Sequence, residues 1–170
     1  MLTKQYLKNK KIGIIALDPA LRSLGLCVAI YENKRTKIVT TQNLICTNMS
    51  EEERLRSLYR AIGNLYNCCG LSYCDKNIFL YEQGFMKGKK SKDQDRLRGA
   101  AVLTAILFGM EIHDIYPTSW RSFFKVPEGK KPDKKFVSQL IGYPVSKLSS
   151  QDEVDACCFV FFYIKSVLGL

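Results

Sequence analysis

Four acidic residues stand where the surrounding sequence gives a carboxylate little ordinary reason to be. Asp18, Glu82, Asp152 and Asp155 each lie in, or at the edge of, an apolar run. A buried charge without a partner is costly, so acids converging from distant parts of a chain call for a divalent cation. Carboxylates suit Mg²⁺ or Mn²⁺, which take oxygen ligands and retain waters. Two such ions about 4 Å apart can activate a water on one side of a phosphodiester and stabilise the leaving oxygen on the other. That is hydrolysis without a protein nucleophile.

Neighbouring acids have plainer roles. Ser50 with Glu53 forms a capping box, which makes Glu51, Glu52 and Glu53 helix-start acids favoured by the dipole. Ser150 with Glu153 forms another, giving Glu153 a structural task and Asp152 a favourable place in the first turn. Asp155 lies past that turn and is followed by Ala156, Cys157, Cys158, Phe159, Val160, Phe161 and Phe162. A helix apolar all round is buried, and a carboxylate on it needs a partner. Asp152 and Asp155, three apart, share a face, whereas Glu153 points about 100° from Asp152. Taken alone, Asp18 also suits a turn, since Asp is common before Pro. Glu82 directly follows Phe79, Leu80 and Tyr81.

The elements that must position these acids alternate along the chain. Ile12 to Leu17 is short and apolar, the signature of a central strand covered on both faces, with Asp18 at its end. Pro19 to Ser23 supplies a turn, Leu24 to Tyr31 a second strand, Glu32 to Arg35 a charged turn and Lys37 to Asn43 a third strand. Three strands joined by short turns form an antiparallel meander. Leu55, Leu58, Ile62, Leu65 and Tyr66 then recur at helical spacing. Asn77 to Tyr81 is the next strand, ending at Glu82. Ser91 with Gln94 makes a capping box for a helix through about Phe108, whose small middle, Gly99, Ala100 and Ala101, is expected to lie close to a sheet. Glu111 to Tyr116 reads as a fifth strand, Pro117 opens a short helix, Pro132 to Leu140 another, and Gln151 to Val167 the last. The expected architecture is α/β: a mixed five-stranded sheet, three antiparallel strands followed by two parallel ones, flanked by helices. Acids at the carboxyl ends of such strands stand at the edge where ligands bind.

At 170 residues and 46% hydrophobic composition, the chain suits one domain, residues 1–170. The net charge of +10 points to a polyanionic partner, because Lys and Arg gain affinity by releasing counterions condensed on phosphates. The seven cysteines, Cys27, Cys46, Cys68, Cys69, Cys74, Cys157 and Cys158, are an odd number without a regular framework. Several lie in apolar stretches, as reduced thiols do, so the cytoplasm or another reducing compartment is expected, in a bacterium, a phage-infected cell or an organelle. Cys68, Cys69, Cys74 and His113 match no familiar zinc-site spacing. No export signal is read at the start, and Ala156 to Ile164 falls short of the roughly 20 apolar residues that span a bilayer.

Two basic segments fit nucleic acid. Lys87, Lys89, Lys90 and Lys92, with Gly84 and Gly88, follow Glu82 directly, and Arg96 and Arg98 come next. A charge run is usually a solvated face, but beside a phosphodiester site phosphate contact is favoured. Phe85 and Met86 at its base suit wedging between bases. Arg121, Lys125, Lys130, Lys131, Lys134 and Lys135 form the second cluster, suited to another arm of branched DNA. Trp120, Phe123 and Phe124 read as core or interface residues.

The sequence resembles the RuvC-type Holliday junction resolvases of the RNase H-like superfamily over most of its length. The resemblance is carried by Ile15-Ala16-Leu17-Asp18-Pro19 through Gly25, by Glu82-Gln83-Gly84-Phe85-Met86 with Arg98-Gly99-Ala100-Ala101, and by Asp152-Glu153-Val154-Asp155-Ala156. It implies an RNase H-like fold, metal ligation by Asp18, Glu82, Asp152 and Asp155, two Mg²⁺ per site with Mn²⁺ as substitute, and Phe85 meeting an unstacked base. It further implies a homodimer making paired symmetric nicks in four-way DNA junctions, with 5′-phosphate and 3′-hydroxyl ends. Ala20 departs from the family's usual Gly, a difference that bears on the turn because Ala tolerates positive φ poorly. The closing motif lacks the His of some relatives. A branch-migration partner is not legible. Other readings are a nuclease for flaps and forks, an inert DNA-binding module, and an actin-like ATPase. The last needs a second phosphate-binding half and a Gly-rich adenosine loop that are not evident here.

Overall fold

The computed structural model describes residues 9–20, 22–83, 92–127 and 130–170. Strands β1 (Ile12–Pro19), β2 (Ser23–Glu32) and β3 (Arg35–Ile45) form the antiparallel meander. Helix α1 (Glu51–Cys68) leads to β4 (Lys76–Glu82), and α2 (Lys92–Leu107) leads to β5 (Glu111–Ile115). Helices α3 (Pro117–Phe123), α4 (Lys134–Ile141) and α5 (Gln151–Phe162) complete the chain, and α5 continues as π-helical turns over Tyr163–Leu168. The sheet order is β3-β2-β1-β4-β5, with β4 parallel to both β1 and β5.

Strand alternation sorts the core into two layers. Ile12, Ile14, Ala16, Cys27, Ala29, Ile78 and Leu80 face the helices that contribute Trp120, Val137, Val154 and Phe159. Ile15, Leu17, Leu26, Val28 and Phe79 face Leu58, Ile62, Leu97 and Ala101 of α1 and α2. With both faces covered, β1 is buried along its whole length, as its apolar run requires.

Several boundaries move for physical reasons. Asp18 and Pro19 still pair with Gly25 and Leu24, so Asp18 lies inside β1 rather than after it, and Ser23 already belongs to β2. Ala20 is not among the described non-glycine residues with positive φ, so the turn does not require glycine there. Asn33 and Lys34 adopt φ of 51° and 61°, as a two-residue hairpin loop between right-twisted strands requires. Tyr116 caps α3 instead of ending β5, and Asp133 delays α4 by accepting from the Lys135 backbone N–H at 2.9 Å. The capping boxes of α1 and α5 form as expected, whereas the one expected at Ser91 lies outside the described residues. The reading of the small residues in α2 is corrected at Gly99: its face is open, and Ala101 and Ala105 are the residues that press on the sheet.

Candidate active site

In the parallel β1–β4 pair, Leu17 stands opposite Tyr81, so Asp18 and Glu82 follow together at the carboxyl ends of adjacent strands. Asp18 has the parity of Ile14 and Ala16, and Glu82 that of Ile78 and Leu80. Both side chains therefore issue toward the layer containing α3, α4 and α5.

Helix α5 is brought to the same edge by a close approach. Gly25, the partner of Asp18 across β1 and β2, lies directly beneath the first turn of α5. A Cβ at Gly25 would overlap the Asp152 carbonyl and the Glu153 amide, so only glycine lets the helix rest here. Asp152 and Asp155 thereby come over the strand end that carries Asp18. Glu153 holds the helix start in place. Its Oε2 accepts from the Ser149 backbone N–H at 2.7 Å, the Ser149 hydroxyl at 2.5 Å and the Ser150 backbone N–H at 2.8 Å.

The other three acids all act electrostatically on Asp18. Asp18 is only 9% exposed, and burial pushes its carboxyl well above the ordinary range; Glu82, Asp155 and Asp152 push it further. Burial also raises Glu82, partly offset by the Trp120 hydrogen bond and by Arg121. Asp155, 4% exposed, is raised by burial, partly offset by Gln151, Lys131 and Arg121. Among the described residues, none of the four forms an ion pair.

Three of the carboxylates are held by neutral donors that sequence reading missed as functional. The Ser23 hydroxyl donates to Asp152 Oδ2, Trp120 Nε1 to Glu82 Oε1 at 3.1 Å, and Gln151 Nε2 to Asp155 Oδ1 at 3.0 Å. Gln151 Nε2 also reaches the Pro132 carbonyl at 3.1 Å, tying α5 to the second basic segment. As placed, no three His, Cys, Asp or Glu side chains among the described residues lie close enough to form a ligand set for one ion. The donor set fits a hard divalent cation in chemistry: four acids supplying oxygen alone, Asp18 and Asp155 buried and Glu82 and Asp152 half-buried.

The cations divide by environment. Lys92, Lys125, Lys130, Lys131 and Lys135 are exposed. Lys131 is near enough to offset the charge of Asp18 and Asp155. Arg121 covers the Trp120 ring at 5.1 Å from its centroid. Lys134 is spent on the loop before α5, donating to the carbonyls of Leu148 and Ser149 at 3.4 Å each. Arg98, read as a phosphate contact, has a side chain only 15% exposed and pairs with Asp95 at 3.2 Å. Phe85, Met86, Lys87, Lys89 and Lys90 lie outside the described residues. His113 sits away from any cysteine group, bonded to Glu111 and packed on Tyr163. No helix among the described residues is long and apolar enough to cross a membrane.

A mixed sheet in this order, with carboxylates at the ends of its two central strands and on the closing helix, defines an RNase H-like fold. The fold is shared with solved Holliday junction resolvases. RuvC of Thermus thermophilus matches with a TM-score of 0.72 and 14% identity over 92% of this chain and 97% of that one. The same protein in complex with a Holliday junction substrate matches with a TM-score of 0.68 and 13% identity, over 91% and 95%. The yeast mitochondrial Holliday junction resolvase Ydc2 gives 0.60 and 13%, over 89% and 77%. No protein-family model and no curated protein matches the sequence.

Proposed function

We propose that this protein is a divalent-metal-dependent endonuclease that resolves four-way DNA junctions by paired symmetric nicks. The observation that carries the proposal is the convergence of Asp18, Glu82, Asp152 and Asp155 on one sheet edge, with no ion-pair partner among the described residues, in a fold shared with junction resolvases. These four residues would hold Mg²⁺, or Mn²⁺ in its place, as a two-ion site. When bound, such ions supply Lewis acidity toward phosphodiester oxygens and the attacking water. The protein's own part is to orient the carboxylates, through Ser23, Trp120 and Gln151, and to keep bulk water from Asp18 and Asp155.

Exposed Lys125, Lys130, Lys131 and Lys135 would meet phosphates flanking the scissile bond. Such contacts position DNA without reading sequence, so selectivity would come from junction shape. Paired nicks need two sites related by a twofold axis. Leu103, Ile106 and Leu107, 59%, 54% and 70% exposed on one stripe of α2, offer an apolar face for that homodimer. The free, mostly covered thiols suit a reducing compartment.

The test is incubation with labelled four-way junctions, flaps and forks, with and without Mg²⁺. Symmetric nicks in the junction with 5′-phosphate ends are expected. Asp18→Asn is expected to lower cleavage by at least about a thousandfold while retaining junction binding. Near-normal cleavage by that variant would remove Asp18 from the reaction.

A further inference from the structure

Trp120 is the chain's only tryptophan and it is fully buried, yet its polar edge points into the acid site. Nε1 donates to Glu82 Oε1 at 3.1 Å, while the ring packs edge-on against Phe159 of α5 at 5.4 Å between centroids. Arg121 lies over the ring. One side chain thus joins the strand that carries Glu82 to the helix that carries Asp152 and Asp155. A buried indole N–H needs an acceptor, and any backbone carbonyl would satisfy that need. Here the acceptor is a carboxylate proposed to bind metal, and the bond occupies one of its two oxygens. An indole N–H donates only, cannot ligate an ion and carries no charge that competes with one. It therefore orients Glu82 without opposing a cation.

We propose that Trp120 is a positioning residue for the metal centre, holding Glu82 with one oxygen free for the ion, and that its indole is a built-in reporter of metal binding. The inference rests on the carboxylate reading above. The rest of the site follows the same pattern: Ser23 and Gln151 hold Asp152 and Asp155 by single bonds from neutral groups. Outer-shell partners of this kind govern ligand orientation and hence affinity.

The test uses the full chain. Mg²⁺ is titrated into the wild type and Glu82→Gln, with calorimetry and tryptophan emission as parallel readouts. The excited indole moves electron density from its pyrrole ring toward its benzene ring, so a carboxylate beside Nε1 stabilises the emitting state. Neutralising that carboxylate raises the emission energy. The expected result is a shift to shorter wavelength with the calorimetric midpoint, absent in Glu82→Gln.

Because there is one tryptophan, biosynthetic replacement by benzothienylalanine removes only this N–H and keeps the ring shape. Mg²⁺ affinity is expected to fall about 10- to 100-fold, with junction affinity unchanged and cleavage restored by higher Mg²⁺. Trp120→Phe is the second variant, expected to change in the same direction. Calorimetric Mg²⁺ binding with unmoved emission, or an isostere that binds Mg²⁺ as the wild type does, would overturn the Trp120 role and leave the metal reading standing. If the wild type binds no Mg²⁺ and Glu82→Gln cleaves normally, both readings fall together.

Discussion

Helices α1 and α5 begin with the same device and come to opposite ends. Each has a serine N-cap, a glutamate three residues on that completes the capping box, and further acids nearby. In α1 the acids face water and find cations: Glu51 pairs with Arg96 at 2.8 Å and Glu52 with Arg56 at 2.6 Å. In α5, Glu153 and Asp155 are buried, and among the described residues Asp152 and Asp155 have no ion-pair partner. The local motif therefore makes a helix start in both places, and burial alone makes one of them a charged site. Burial differs because α1 carries a single apolar stripe, whereas the residues of α5 from Glu153 to Phe161 are all covered.

The substitution that should break this contrast most completely is Gly25→Ala. The new Cβ would strike the backbone of α5, which cannot rotate away as a side chain would. We expect a loss of about 3 kcal/mol, at the upper end for overpacking, and cleavage reduced to background even in the fraction that folds. Thermal unfolding and a junction cleavage assay read the two effects. Wild-type cleavage by this variant would show that α5 does not need its present seat.

Next comes the paired comparison of Glu153→Ala and Glu53→Ala. Removing the buried Glu153 carboxylate takes the shared acceptor away from three part-buried bonds of Ser149 and Ser150, costing about 1–3 kcal/mol. At Glu53 water replaces the lost acceptor, and a clearly smaller drop in melting temperature is expected. Equal drops would mean that burial does not separate the two caps.

The pH response should differ in sign as well as size. Asp18 is raised in the folded state, so its contribution to stability is present below its unfolded value of about 3.9 and is lost as pH climbs through the raised folded value. Glu82 and Asp155 act in the same direction. Glu53 is lowered by bonds from Ser50, so its contribution is present above its ordinary value and is lost as pH falls. Without metal at pH 7, Asp18→Asn should therefore melt higher than the wild type, by about 2–4 °C for each kcal/mol of relieved strain. Added Mg²⁺ should raise the wild type and reverse the order. Identical melting curves at pH 4 and pH 7 would contradict the repulsion argument.

How far these differences were legible in the sequence depends on the range of the signal. The meander, the two parallel strands and the place of Asp18 and Glu82 near the carboxyl ends of adjacent strands follow from local patterning, and they were readable. So was burial of α5, from its unbroken apolar run. The seat on Gly25 was not, because nothing near Gly25 in sequence announces a helix more than a hundred residues away. The bonds from Ser23 to Asp152 and from Trp120 to Glu82 span 129 and 38 positions and depend on how the layers stack. Arg98 is a different case. Asp95, three residues earlier on the same helix face, was a visible partner that the reading of a basic run passed over.

Gly99, whose expected place against the sheet the structure corrects, supplies the mildest test. Leu97, Ala101, Thr104 and Ala105 are the buried positions of α2, at helical spacing, and Gly99 falls off that face. Nothing lies within 4 Å of a Cβ placed there. Gly99→Ala should therefore gain up to about 1 kcal/mol of helix propensity in the monomer fold, the reverse of Gly25→Ala. The same substitution also probes the proposed dimer, because Gly99 lies one turn before Leu103 on the exposed side of α2. A variant that melts higher at low concentration yet dissociates more readily by analytical ultracentrifugation would place Gly99 inside the contact. One that gains stability with unchanged association would leave the apolar stripe to meet its partner without help from this glycine.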